Sequence, residues 1–166
     1  MRHGAELVEG VTVRDWQSEL GLEPHGEGGF FRRIYTGAQD VPTAYGPRPA
    51  ATSIYYLLDA ARPSGLLHRN RSDILHFLID GGPLEYVTVD PAGTLARTVL
   101  GADAERFLLV PGGWWKASRL RGGARQGLVA EVVTPGFDHA DHEFAPATVL
   151  EEFPHLAADL RPFVRG

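Results

Sequence analysis

Three side chains suited to proton transfer fall within nine positions of one another: His68, Asp73 and His76, in the stretch SGLLHRNRSDILHFLID. Imidazole is the side chain whose ordinary pKa lies nearest neutrality, so two of them can serve as base and acid in one reaction. Apolar and polar residues alternate on either side, which predicts two short strands joined by a polar turn at Asn70 to Ser72. Folded back on each other, these strands would bring the imidazoles together and leave Asp73 to fix a tautomer. Ser72 and Asp73 also suit a turn for backbone reasons alone.

Lys116 is the fourth candidate, the one lysine in a chain with 15 arginines. A compact amine whose pKa falls on burial has to be lysine, because a guanidinium stays charged. In PGGWWKASRL, strand alternation places Trp114, Lys116 and Ser118 on one face and Trp115, Ala117 and Arg119 on the other. Turned inward, Lys116 would be an acid, a base or an oxyanion partner. Turned outward, it would lay its stem along the fold and keep its head in water.

The elements that must hold these groups are mostly strands. Thr52 to Leu58, Leu66 to Asn70, Asp73 to Ile79, Leu84 to Val89, Thr94 to Leu100, Arg106 to Val110, Trp115 to Leu120 and Gly127 to Thr134 all have strand character, with Gly, Pro or Asp in nearly every gap. No helical stretch intervenes, so the prediction is an all-β antiparallel sandwich or barrel. Ahead of it, Val11, Trp16 and Leu20 have helical spacing and Gly21 is a stop, which gives a short amphipathic helix. The Gly28-Gly29 pair turns the chain into a first long strand through Phe30, Phe31, Ile34 and Tyr35, and residues 38–49 form a loop. At the other end Leu150, Phe153, Leu156, Leu160 and Phe163 recur every three or four residues, a terminal helix broken near Pro154. One domain over 1–166 is expected, with its core at about 27–145 and a helical tail at about 146–166.

Composition excludes several classes. The chain has no cysteine, hence no disulfide framework and no thiol nucleophile. A formal charge of −5 without a basic run argues against general nucleic-acid binding. No apolar run reaches bilayer length and the first residues lack a signal-peptide core, so a cytoplasmic protein with a small-molecule partner is expected. The Gly pair of GEGGFF lacks the Gly-Lys-Ser sequence of a phosphate loop. DHADHE at 138–143 is metal-like in composition, but extended chain would split its ligands between two faces, so a solvated edge is expected there.

The succession PHGEGGFFRRIY, TSIYYLL, LLHRNRSDILHF, LVPGGWWKAS and TPGFDHADHEFA resembles a small branch of the cupin superfamily, often called cupin family five, over about residues 12–145. The resemblance implies a jelly-roll (cupin) double-stranded β-barrel with short N-terminal and C-terminal helices, usually a homodimer, with a pocket inside the barrel. Glu27 and Arg32 match the family's opening motif, at either the cavity mouth or a dimer contact. The metal-binding cupins have a first motif of the form G-x5-H-x-H-x3,4-E-x6-G and a second of the form P-x-G-x-x-H. Against these, His68 matches but Asn70 stands at the second histidine, and Lys116 follows Pro111 and Gly113 where the second-motif histidine belongs. The metal set is thereby reduced to His68 and His76 with Asp73 or Glu131 as carboxylate, and an ammonium among them would repel a dication. No cofactor is required on this reading, although a divalent metal remains an alternative.

The resulting expectation is an enzyme that epimerises, isomerises or dehydrates a sugar-like or polar metabolite by proton transfer. His68 and His76 would be base and acid, Asp73 the orienting group and Lys116 the stabiliser of developing charge. Tyr56, Asn70, Trp114, Ser118 and Glu131 are the side chains expected to contact the ligand. Two alternatives stand beside it: a small-molecule-binding cupin without catalysis, and a metal-dependent oxygenase or isomerase.

Overall fold

A computed structural model describes residues 7–8 and 11–166. In chain order the elements are β1 (Leu7–Val8), β2 (Val11–Thr12), α1 (Trp16–Glu19), β3 (Glu23–Pro24), β4 (Phe30–Thr36), β5 (Asp40–Val41), β6 (Arg48–Pro49), β7 (Thr52–Asp59), β8 (Ser64–Asn70), β9 (Asp73–Gly81), β10 (Leu84–Val89), β11 (Leu95–Leu100), β12 (Phe107–Val110), β13 (Trp115–Leu120), β14 (Gln126–Thr134), β15 (His142–Phe144), α2 (Val149–Glu152) and α3 (Ala157–Leu160). The long strands form two antiparallel sheets, one in the order β11-β10-β13-β8-β15 and the other β12-β9-β14-β7-β4-β3. This is the all-β roll read from the sequence.

Strand alternation produces three apolar layers. Between the sheets lie Tyr56, Leu58 and Val129 of the six-stranded sheet against Leu84, Tyr86 and Leu100 of the five-stranded one. On the outer face of the five-stranded sheet, Leu67, Val87 and Trp115 are covered by Val149, Phe153, Leu160 and Phe163 of the tail. On the outer face of the six-stranded sheet, Leu57 and Leu128 pack under Leu22, Trp16 and Leu20. Trp115 is thus core and points away from Lys116, as alternation requires.

Three expectations need correction. The first helix shrinks to the single turn of α1: Val11 and Thr12 are extended, as β-branched residues favour, and Asp15 caps the turn by accepting the Ser18 N–H at 3.2 Å. The tail is more broken than one kink implies, because Pro154 begins one 3-10 turn and Pro162 is the second residue of another, Arg161–Phe163. Most important, β8 and β9 do not form a hairpin. β8 pairs with β13 and β15, and β9 pairs with β12 and β14, so residues 71–72 carry the chain from one sheet to the other. His68 and His76 therefore stand on facing sheets. No helix among the described residues is long and apolar enough to cross a membrane.

Candidate functional site

One end of the space between the sheets is left unfilled, forming a cavity of about 260 Å³. Phe31, Ile54, Ile74, Val133, Phe137 and Phe144 supply apolar walls, while Glu27, His68, Asn70, Glu131 and His142 supply polar ones. Register determines which groups meet at its base. In the five-stranded sheet Lys116 lies opposite His68; in the six-stranded sheet His76 lies opposite Glu131. The two pairs come together between the sheets in two clusters.

The first cluster is Lys116, His76 and Glu131, 3%, 0% and 5% exposed. His76 Nδ1 is 3.1 Å from the Leu108 carbonyl, which can only accept, so Nδ1 carries the proton and Nε2 presents its lone pair. Lys116 Nζ lies 2.8 Å from that Nε2 and donates to it, and it donates to Glu131 Oε1 at 3.4 Å. Burial, then the Lys116 charge, push the His76 pKa well below its ordinary value. Burial pushes the Glu131 carboxyl up; Lys116 opposes that shift and the charge of Glu27 adds to it. The ring of Tyr86 meets that of His76 edge-on at 5.0 Å, closing the cluster from below. Of the three, Glu131 lines the cavity.

The second cluster is Glu27, His68 and His142. Gly28 and Gly29 have φ of 108° and 68°, and a Cβ on them would fall 2.1 Å from the Ser64 carbonyl oxygen and 2.5 Å from that of Leu57. Only glycine permits this approach. It tucks the loop over β8, where the Leu66 N–H donates to the Glu27 carbonyl at 2.6 Å and the Glu27 side chain enters the cavity. There Oε2 is 3.1 Å from His68 Nε2 and 3.9 Å from His142 Nε2. The His68 and His142 rings stack at 5.2 Å. Burial alone would raise the Glu27 carboxyl, but the surrounding imidazoles and Lys116 outweigh it and hold it below the ordinary carboxylate range. Burial pushes His68 down to about 4, with Glu27 opposing and Lys116 assisting the shift. One ligand atom from each of Glu27, His68 and His142 lies within 4.8 Å of the others, a grouping that could hold a metal ion.

The sequence candidates are dispersed around these clusters. His68, Asn70 and Glu131 line the cavity, and His76 and Lys116 lie buried behind it. Tyr56 and Ser118 are buried over Gly65, where a Cβ would meet their hydroxyls at 2.7 and 2.8 Å; Tyr56 donates to the Gly28 carbonyl at 2.9 Å. Asp73 accepts the Gly112 N–H at 2.8 Å and contacts neither imidazole, since carbonyls hold both Nδ1 atoms. Trp114 precedes β13 and is half-buried away from the cavity lining. Arg32 reaches outward to the Leu20 carbonyl at 2.8 Å. Of the expected metal pair His68 and His76, His76 turns its Nε2 lone pair to Lys116, and the grouping that could hold a metal joins His68 to Glu27 and His142.

Three cavity-lining histidines, His25, His139 and His142, lay outside that reading. His25 accepts the Glu27 N–H on Nδ1 at 3.1 Å, and the spacing His25-x-Glu27 was the available signal. His142 comes from DHADHE, where the solvated edge holds for Glu143 but not for its neighbour. A 3-10 turn over His139–Asp141 breaks the alternation, Asp141 is buried against Arg48 at 2.6 Å, and β15 pairs with β8 so that His142 faces in.

The family model described as Cupin superfamily (DUF985), Cupin_5, matches residues 14–145. The chain belongs to the cupin superfamily. This cupin is 35% identical over 162 residues to the uncharacterized protein YML079W of Saccharomyces cerevisiae, spanning 87% of this chain and 77% of that one. A hypothetical protein from Leishmania major superposes with a TM-score of 0.85 at 30% identity, covering 91% of this chain and 97% of the other. The likeness extends in fold alone to a dTDP sugar isomerase from Desulfovibrio desulfuricans, with a TM-score of 0.50, 20% identity and 75% and 87% coverage. The Lys116 ammonium of this cupin is engaged by His76 and Glu131.

Proposed function

We propose that this cupin is an enzyme that moves a proton on a small polar metabolite held in the cavity, in an epimerisation, isomerisation or dehydration next to a carbonyl. The supporting observation is the buried Lys116–His76–Glu131 cluster with only its carboxyl end at the cavity. A carboxylate whose pKa is raised is a stronger base than one at the surface, so Glu131 is the group that takes the proton. The electron pair left on carbon moves onto the carbonyl oxygen, and the Lys116 ammonium behind the Glu131 carboxyl supplies buried positive charge that favours it. Reprotonation of the same carbon on its other face completes an epimerisation; on the adjacent carbon, an isomerisation. His76 positions Lys116 by accepting one of its protons, and His68 and Asn70 orient the ligand from the facing sheet.

Such a step exchanges substrate hydrogen with solvent. Incubated with a metabolite extract in D2O, the protein should place deuterium into one class of small carbonyl compound, and Glu131→Gln should abolish the labelling while leaving the fold intact. The apolar walls favour a second reading, a cupin that binds without catalysis. On that reading a compound copurifies and emerges unchanged and unlabelled.

The outer face of the six-stranded sheet bears on assembly. Phe77, Ile79, Phe107 and Leu109 are 43–46% exposed, and the Phe77 and Phe107 rings pair across β9 and edge strand β12 at 5.2 Å. A contiguous apolar strip on an edge strand favours association. We infer that a second copy of the chain covers it, giving a homodimer.

A further inference from the structure

The Glu27–His68–His142 cluster contains a conflict of hydrogen-bond roles. The Leu66 carbonyl is 2.7 Å from His68 Nδ1 and can only accept, so Nδ1 is protonated and Nε2 turns a lone pair toward Glu27 Oε2 at 3.1 Å. Two acceptors face each other inside the protein. His142 Nε2 lies 3.9 Å from the same oxygen, too far for a hydrogen bond, and is buried with no hydrogen-bond partner among the described residues. A proton between His68 and Glu27 would satisfy one pair and leave the His142 nitrogen orphaned. A cation among the three atoms satisfies them all.

We propose that Glu27, His68 and His142 bind a first-row divalent metal ion on the β8–β15 wall of the cavity, with its remaining coordination positions open to an oxygen of the bound metabolite. Two imidazoles and a carboxylate select Zn²⁺, Fe²⁺, Co²⁺ or Mn²⁺ over Ca²⁺ and Mg²⁺, which prefer all-oxygen shells. Ligand bonds of about 2.0–2.2 Å place neighbouring ligand atoms roughly 3.0–3.6 Å apart. Of the two separations from Glu27, 3.1 Å lies within that range and 3.9 Å lies just above it, so closure on Glu27 needs the His142 ring to shift inward. Outer partners are in place: the Leu66 carbonyl fixes the His68 tautomer, the Gly28-Gly29 turn fixes the Glu27 loop, and Arg48 clamps Asp141 next to His142. His68 is the one position this set shares with the usual metal motif of the superfamily. Glu27 and His142 are recruited from outside that motif, on the side of His68 away from the Lys116–His76 contact.

The test uses tag-free full-length protein stripped with a chelator and then titrated with Co²⁺, followed by visible absorption, and with Zn²⁺, followed by calorimetry. The expected result is one ion per chain. Affinity should fall by at least about 100-fold in Glu27→Gln and in His142→Ala and stay unchanged in Glu131→Gln. Should those variants misfold, X-ray absorption on the zinc-loaded wild type reads the same question, with two imidazole nitrogens expected in the shell. Saturable binding absent up to millimolar metal, equal affinity in His142→Ala, or a zinc shell without two imidazoles would overturn the proposal. Because Glu131 is not a ligand, metal binding and the deuterium labelling proposed above fail separately.

Discussion

At the residue scale, the chemistry rests on how burial treats two kinds of group. His76 is fully buried as the neutral imidazole, so its folded pKa lies below its unfolded value of about 6.5. The unfolded chain binds the proton more readily, and the stability this group contributes is present above pH 6.5 and lost as pH falls below it. Glu131 has the opposite sign: its raised pKa favours the folded state at low pH and costs stability as pH rises through its folded pKa. Thermal melts should therefore show a midpoint that declines on acidification below pH 6.5, and Glu131→Gln should be stabilised relative to wild type at high pH. In Lys116→Met, the His76 lone pair loses its donor and the enolate loses the buried positive charge behind Glu131. Deuterium labelling should drop about 100-fold, the cost typical of removing one charge-stabilising donor.

At the element scale, the site depends on two tight features flanking β8. Gly28→Ala would put a Cβ 2.1 Å from the Ser64 carbonyl oxygen at a φ of 108°. This strains the turn and moves Glu27, so the variant should lose at least about 2 kcal/mol in chemical denaturation. Its metal affinity should fall along with its stability. The strand assignments were legible in the sequence because the alternation of β7, β9, β13 and β14 is long enough to reveal which residues share a face. Alternation set Lys116 and Trp115 on opposite faces but left open which of them turned inward. Partner choice was not legible. The short polar link between β8 and β9 reads as a hairpin turn, but it crosses between sheets because β8 finds β13, and β9 finds β14, from much later in the chain. Pairings between residues some 50 positions apart leave no local mark on the sequence, and the site inherits that gap. His142 and Glu27 reach His68 only through a 3-10 turn and a folded-over glycine loop, neither of which periodicity describes.

At the scale of the whole molecule, the two sheets divide the work. The five-stranded sheet carries Lys116 and His68 and is backed by the C-terminal helices, which bury Trp115 and Val87. The six-stranded sheet carries His76 and Glu131, and only part of its outer face is covered, by α1 and the segment that follows it. The uncovered strip around Phe77, Phe107 and Leu109 is where a second copy is proposed. Light scattering of the wild type should give twice the monomer mass, and Leu109→Glu on edge strand β12 should halve it without loss of fold. A monomeric wild type would remove the second copy from the account. The overall roll and its outer helices follow from sequence pattern and from the five motifs shared with the cupins. The division of the cavity into a Lys116–His76–Glu131 base and a Glu27–His68–His142 wall required the three-dimensional pairing.

The protonation of Glu131 at the cavity tests the central claim most directly. A carbon-13 titration of the side-chain carboxyls, assigned with Glu131→Gln, should show Glu131 titrating above its ordinary value of 4.5. A Glu131 midpoint at or below 4.5 would contradict the account, since a carboxylate no more basic than one at the surface has no claim to be the base.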